Sequence, residues 1–102
     1  VVVLKGARTC ICDGRGTGSQ EVFICEQGGP ELATAGTGDV LAGMIAALLA
    51  QGLDSLMAAM LGVFWHGVAG HIALRQLGGA GVIASDVVSA IPRARAEIGA
   101  SD

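Results

Sequence analysis

Residues 33–51, ATAGTGDVLAGMIAALLAQ, constrain the fold more than any other stretch. A glycine-rich turn with a single acid, Asp39, runs directly into a long apolar segment. The first N–H groups of a helix have no partner inside it and carry the positive end of its dipole, so glycines there let an anion come close. A carboxylate in such a turn repels a bound phosphate, unless it works with a metal ion or takes a proton from a nucleophile attacking that phosphate. Asp39 is therefore a candidate catalytic group, set against the simpler role of a first-turn acid that complements the dipole. Val40, Leu41, Met44, Ile45, Leu48 and Leu49 fall at helical spacing and alanines fill the other faces. This predicts a central helix from Asp39 to about Ala50, with residues 34–38 irregular before it and Gln51 and Gly52 ending it.

Ahead of this stretch, residues 1–4 (VVVL) form a continuous apolar run, the pattern of a strand buried on both faces of a mostly parallel sheet. Lys5 follows at the strand's carboxyl end, where open α/β sheets place ligands; the alternative is a solvated lysine at a turn. Residues 8–13 (RTCICD) and 21–25 (EVFIC) read as a hairpin, joined by residues 14–20. The glycines 14, 16 and 18 in that loop lack the dinucleotide spacing and no apolar helix follows them, so they mark a hairpin loop. Residues 26–32 (EQGGPEL) read as another loop. Asp54 or Ser55 can cap a second helix over residues 56–77. That segment approaches bilayer length, but His66 and His71 interrupt it and glycine is frequent, so a buried helix is expected. Residues 78–83 connect to a last helix opening at Ser85 and Asp86 and running to about Glu97, with Pro92 kinking or splitting it.

A chain of 102 residues makes at most one domain. It starts with Val1 in what reads as a strand already under way, which predicts that it is the C-terminal part of something larger. A formal charge of −3 with six Lys and Arg argues against nucleic acid as a partner. Aromatics make up 3% of the chain against 52% hydrophobic residues, so helix packing through small side chains is expected rather than base stacking. Cys10 and Cys12, one residue apart, lack zinc-knuckle spacing and share a strand face; with Cys25 they are expected as small buried hydrophobes in a reducing, cytoplasmic setting. His66 and His71 are five apart and fall on different helix faces, which disfavours a metal pair and makes His66 structural or an outer partner of the site. Trp65 reads as packing.

GTGDVLAGMIAALLAQG resembles the signature of the ribokinase-like superfamily and, more narrowly, of the ADP-dependent NAD(P)H-hydrate dehydratases. VVLKGARTCICD, LATAGTGDVLAG, HGVAGHIA and ASDVVSAIP are similar to successive segments of that family, so the resemblance covers nearly the whole chain in order. It implies an α/β fold, a ribokinase-like layered sheet with flanking helices of which the chain holds the C-terminal half: a strand, a β-hairpin and three helices. The implied reaction returns hydrated NADH or NADPH to the working coenzyme at the expense of ADP (or ATP), by phosphoryl transfer to the ring hydroxyl and loss of phosphate. By position, Lys5, Gly6, Ala7, Arg8 and Thr9 would line the nucleotide phosphates. Gly36, Thr37 and Gly38 would form the anion pocket, and Asp39 would contact the hydrate and act as base. Mg2+ is expected with the nucleotide. Where the family carries Gly-Asn-Pro-Gly, this chain reads Gly28-Gly29-Pro30-Glu31, which removes an amide side chain and adds a charge.

The turn itself is shared with small-molecule kinases of the superfamily, which would use the same acid and release a phosphorylated product. A nucleotide-binding module without turnover is the reading of another class. The apolar helices make a homo-oligomer an expectation as well; a membrane partner is not expected.

Overall fold

The computed structural model describes residues 1–5, 9–14, 22–25, 36–78 and 82–100. Three short strands, β1 (Val2–Leu4), β2 (Thr9–Cys12) and β3 (Val22–Cys25), are followed by three helices, α1 (Thr37–Ala50), α2 (Ser55–Leu77) and α3 (Ala84–Ala100). The strand, hairpin and helices come in the expected order. Residues 15–21 and 26–35, on which most of the expected hairpin connection and the Gly28–Glu31 departure fall, lie outside the described residues, as do Gly6, Ala7 and Arg8.

The sheet has the order β1-β2-β3 and both pairings are antiparallel. This corrects the expected parallel strand at residues 1–4. Only a few residues separate β1 from β2, and a connection that short joins antiparallel neighbours, whereas a parallel pair needs a crossover of a dozen residues or more. The register aligns Val3 with Ile11 and Ile11 with Phe23, so these three share one face. That face packs with Leu41, Ala59 and Val63 from α1 and α2. Val2 and Leu4 on the other face are 61% and 67% exposed, so β1 is not buried on both sides. Cys10 and Cys12 share that outer face, as period-2 alternation requires, and are half-buried rather than buried because no described element covers them.

Helix α2 is the centre of the molecule. Its N-terminal half meets α1 and the sheet, and its C-terminal half packs on α3 through Ala69, Ile72 and Ala73 against Val87, Ala90 and Ala94. Small residues let the axes approach. A Cβ placed on Gly62 would stand 2.6 Å from Ile45 Cγ1, so α1 crosses α2 where glycine leaves room. By length and mean hydropathy α2 could cross a bilayer, but 56% of its apolar window is buried inside this protein.

The helix ends follow local chemistry. Asp54 caps α2, its carboxylate accepting from the Leu56 N–H at 3.2 Å, and Gly78 closes it at φ +73°. Gln51 ends α1 and Gly52 follows at φ +95°, the left-handed position that glycine adopts cheaply. Helix α3 starts one residue before the predicted Ser85. Asp86 accepts from the Ile83 N–H at 2.8 Å while Ile83 O receives the Asp86 N–H at 3.0 Å, which closes the first turn reciprocally. Pro92 lies inside α3 without ending it. It sits on the exposed side, where water can take the backbone bond its ring removes.

Candidate active site

The turn that opens α1 is helical two residues earlier than its glycines predict. Gly36 holds φ +90° and ψ −15°, its carbonyl accepts from the Val40 N–H at 3.2 Å, and Thr37 already belongs to the helix. Glycine and threonine are weak helix formers, so the early start comes from tertiary support. Thr37 is 1% exposed, and its carbonyl accepts a 2.9 Å hydrogen bond from His66 Nε2 of α2. Ala84 at the start of α3 closes the third side: a Cβ on Gly36 would meet Ala84 Cβ at 3.2 Å.

Among the described residues no side chain caps α1. The N–H groups of Gly38 and Asp39 have no acceptor among the described residues, and Asp39 is exposed beside them. Over this end stands Lys5, just past β1. Its Nζ is 2.9 Å from the point a Cβ on Gly38 would occupy, so only glycine leaves the ammonium its seat. Lys5 is exposed, and its Nζ lies over the turn. A cation at the positive end of a helix is electrostatically unfavourable. Among the described residues the ion pair formed is Arg75–Glu97, and Lys5 has none. An ammonium, unpaired backbone donors and a dipole converging on one exposed point fit an anion such as a nucleotide phosphate. Asp39 places an exposed carboxylate beside that point.

Of the residues expected to line the site, Lys5, Gly36, Thr37, Gly38 and Asp39 come together here. Thr9 opens β2 and is half-buried opposite Cys25 in the ladder. Among the described residues no three His, Cys, Asp or Glu side chains gather as a metal-ligand set. Trp65, adjacent to His66, does more than pack. Its Nε1–H donates to Ile91 O at 2.9 Å, which ties the rotation of α2 to α3. Neither backbone bond is readable from the sequence, because neither partner is close in the chain; a tryptophan and a histidine in adjacent positions of a mostly apolar helix are the available signal.

His66 is 3% exposed, and its pKa lies below the ordinary histidine value, chiefly because burial penalises the charged ring. The bond to Thr37 opposes that shift and the Lys5 ammonium adds to it. The shift favours the neutral ring, and in that form the bond to the Thr37 carbonyl puts the proton on Nε2. A depressed folded-state pKa means that the unfolded chain binds the proton more readily. Stability should be full above the unfolded value of about 6.5 and fall as pH drops through the window down to the lowered folded value. Urea midpoints measured across that window should decline, and His66→Gln should remove this share of the slope; an unchanged slope would assign it to other groups.

Compared with known proteins, residues 1–93 match the family model described as NAD(P)H-hydrate dehydratase. The bifunctional NAD(P)H-hydrate repair enzyme Nnr of Moorella thermoacetica is 47% identical over 92 residues, covering 90% of this chain and 17% of that protein. The enzyme of the same name from Vibrio cholerae is 46% identical over 88 residues, 86% of this chain and 17% of its own length. The ADP-dependent (S)-NAD(P)H-hydrate dehydratase of Xanthomonas campestris is 37% identical over 92 residues, covering 90% of this chain and 30% of its own. The chain thus spans between 17% and 30% of these relatives' lengths, and its sheet and three helices are part of a ribokinase-like α/β fold. With a match over nearly its entire length, the chain belongs to the NAD(P)H-hydrate dehydratase family.

Proposed function

We propose that this chain takes part in the ADP-dependent dehydration of hydrated NADH and NADPH, restoring the reduced coenzyme, and that it forms the C-terminal part of a ribokinase-like nucleotide-binding catalytic domain over residues 1–102. The observation that carries the reading is the Lys5 ammonium seated over the open N-terminus of α1. In this reading Lys5 and the Gly36-Thr37-Gly38 turn hold the terminal phosphates of ADP, or of ATP, with Gly6, Ala7, Arg8 and Thr9 continuing the phosphate contacts. The hydroxyl of the hydrated ring attacks the terminal phosphorus, Asp39 takes the hydroxyl proton, and the nucleotide leaves one phosphate shorter. The phosphate then leaves the ring with its C–O bond electrons, a proton leaves the adjacent ring carbon, and the double bond formed between the two carbons restores the coenzyme. The described residues supply no ligand cluster for Mg2+, which stays in the reading as a companion of the nucleotide with no step assigned to it. Three cysteines outside any disulfide accord with a cytoplasmic location, and the apolar helix faces with a homo-oligomer. Nucleic acid and membrane have no place in it.

The test is a product assay on the full-length protein. With ADP and hydrated NADH, absorbance of the reduced nicotinamide should return, whereas a stable phosphorylated alcohol would mean a kinase and binding without turnover a nucleotide-binding module. Gly38→Ala should displace the ammonium, the free end of a flexible side chain, while leaving the fold in place. The weakened charge-assisted contact is worth about 1.5 kcal/mol, so KM for ADP should rise roughly tenfold. An unchanged KM would take Lys5 and Gly38 out of the phosphate site.

A further inference from the structure

His66 stands behind the anion cradle, on the side away from solvent, and reaches it through one peptide unit. The carbonyl that accepts from His66 Nε2 belongs to Thr37, and the other end of that same peptide is the Gly38 N–H. A trans peptide is planar, with its C=O and N–H pointing opposite ways. Thr37 already belongs to α1, which directs this N–H toward the open end of the helix where Lys5 Nζ is seated, and the bond from the buried ring secures the peptide in that orientation. Hydrogen bonding at the carbonyl also polarises the peptide and strengthens its N–H as a donor, by roughly 10–30% per bond. The ring is itself held. It is 3% exposed, and the neighbouring Trp65 donates to Ile91 O, which locks α2 against α3 one residue away.

We propose that His66 is a positioning residue for the reaction, orienting and strengthening the Gly38 N–H donor through the Thr37–Gly38 peptide. The proposal rests on the phosphate-binding reading of the turn. His66 touches neither nucleotide nor hydrate; its effect reaches them through the backbone. A residue that only filled space would be replaceable by any side chain of similar volume, whereas a positioning donor is replaceable only by another donor of similar reach. Gln can present an amide N–H near the position of Nε2, Leu fills the volume without a donor, and Asn carries the donor on a shorter stem.

In the full-length protein, labelling Thr carbonyl carbons with 13C and Gly nitrogens with 15N selects Thr-Gly peptides, which in this chain are Thr17–Gly18 and Thr37–Gly38. His66→Leu should move the Gly38 amide proton upfield. It should also weaken ADP binding and lower kcat by about tenfold, in line with losing an outer partner that orients a ligand-holding group. His66→Gln should return the amide shift and most of the affinity. If His66→Leu does not fold, the comparison of His66→Gln with His66→Asn decides, the proposal requiring that Gln exceed Asn in ADP affinity. Equal behaviour of Gln and Asn, wild-type kinetics in His66→Leu, or a Gly38 amide that does not move overturns it. If the wild-type protein binds ADP without dehydrating the hydrate, the dehydratase reading fails while ADP affinity still tests His66. If it binds no nucleotide, the phosphate-site reading fails and the proposal with it.

Discussion

Asp39→Asn should leave ADP bound and lower turnover by about two to four orders of magnitude, the range for removing a positioned general base. The substitution keeps the size and shape of the side chain and removes its charge and basicity. Asp39 is exposed in the first turn of α1, so the fold loses only the dipole complement of one acid, roughly 0.3–1 kcal/mol. Ground-state binding should hold or tighten, because a carboxylate beside a phosphate repels it, and neutralising it leaves Lys5 and the helix dipole unopposed. That combination separates the two roles of an acid at this position. A base predicts a collapse in kcat with KM for ADP unchanged or lower, while a dipole complement alone predicts a small loss of stability and normal kcat. Steady-state kinetics with an ADP titration reads both, and a wild-type kcat would take Asp39 out of the proton transfer.

Gly62→Val should destabilise the protein by about 2–3 kcal/mol, at the upper end of the cost of overpacking. The first added carbon would fall 2.6 Å from Ile45 Cγ1 and 3.7 Å from Ile45 Cα. Ile45 is branched at Cβ and its Cγ1 is close to the backbone, so the side chain cannot swing clear and α1 itself must shift. Replacing glycine in a helix recovers a few tenths of a kcal/mol in propensity, too little to offset the collision. Because α1 carries the turn, variant protein that still folds should also bind ADP less well. The pair forms a double-mutant cycle: Ile45→Ala costs stability alone, and combined with Gly62→Val it should cost less than the sum. Urea unfolding measures all four proteins. Full stability of Gly62→Val would mean the helices do not cross at this contact.

Asp39 and Gly62 differ in how far the sequence exposes them. Asp39 stands out as a candidate in the sequence because a lone carboxylate in a glycine-rich helix start conflicts with the anion the glycines invite, and that conflict is local. The hairpin, the shared face of Cys10 and Cys12 and the Asp54 cap were legible for the same reason: period-2 alternation and capping act over a few residues. The start of α1 was set two residues late, since intrinsic propensity at Gly36–Gly38 opposes helix and the support for it lies in α2, 29 residues along the chain. The parallel strand at residues 1–4 was wrong because continuous apolarity records what a strand could bury, while pairing direction depends on the connection.

By itself the sequence determined the elements, the turn with its acid, and the family that the order of its segments resembles, because each depends on short-range patterns of side-chain type. Only the tertiary structure decided that Lys5 lies over Gly38, that His66 holds Thr37 from behind, and that Gly62 admits Ile45. These are contacts between residues 17 to 33 positions apart. Their geometry is set by how α1 packs on α2 and where the sheet ends, and no local pattern carries that information.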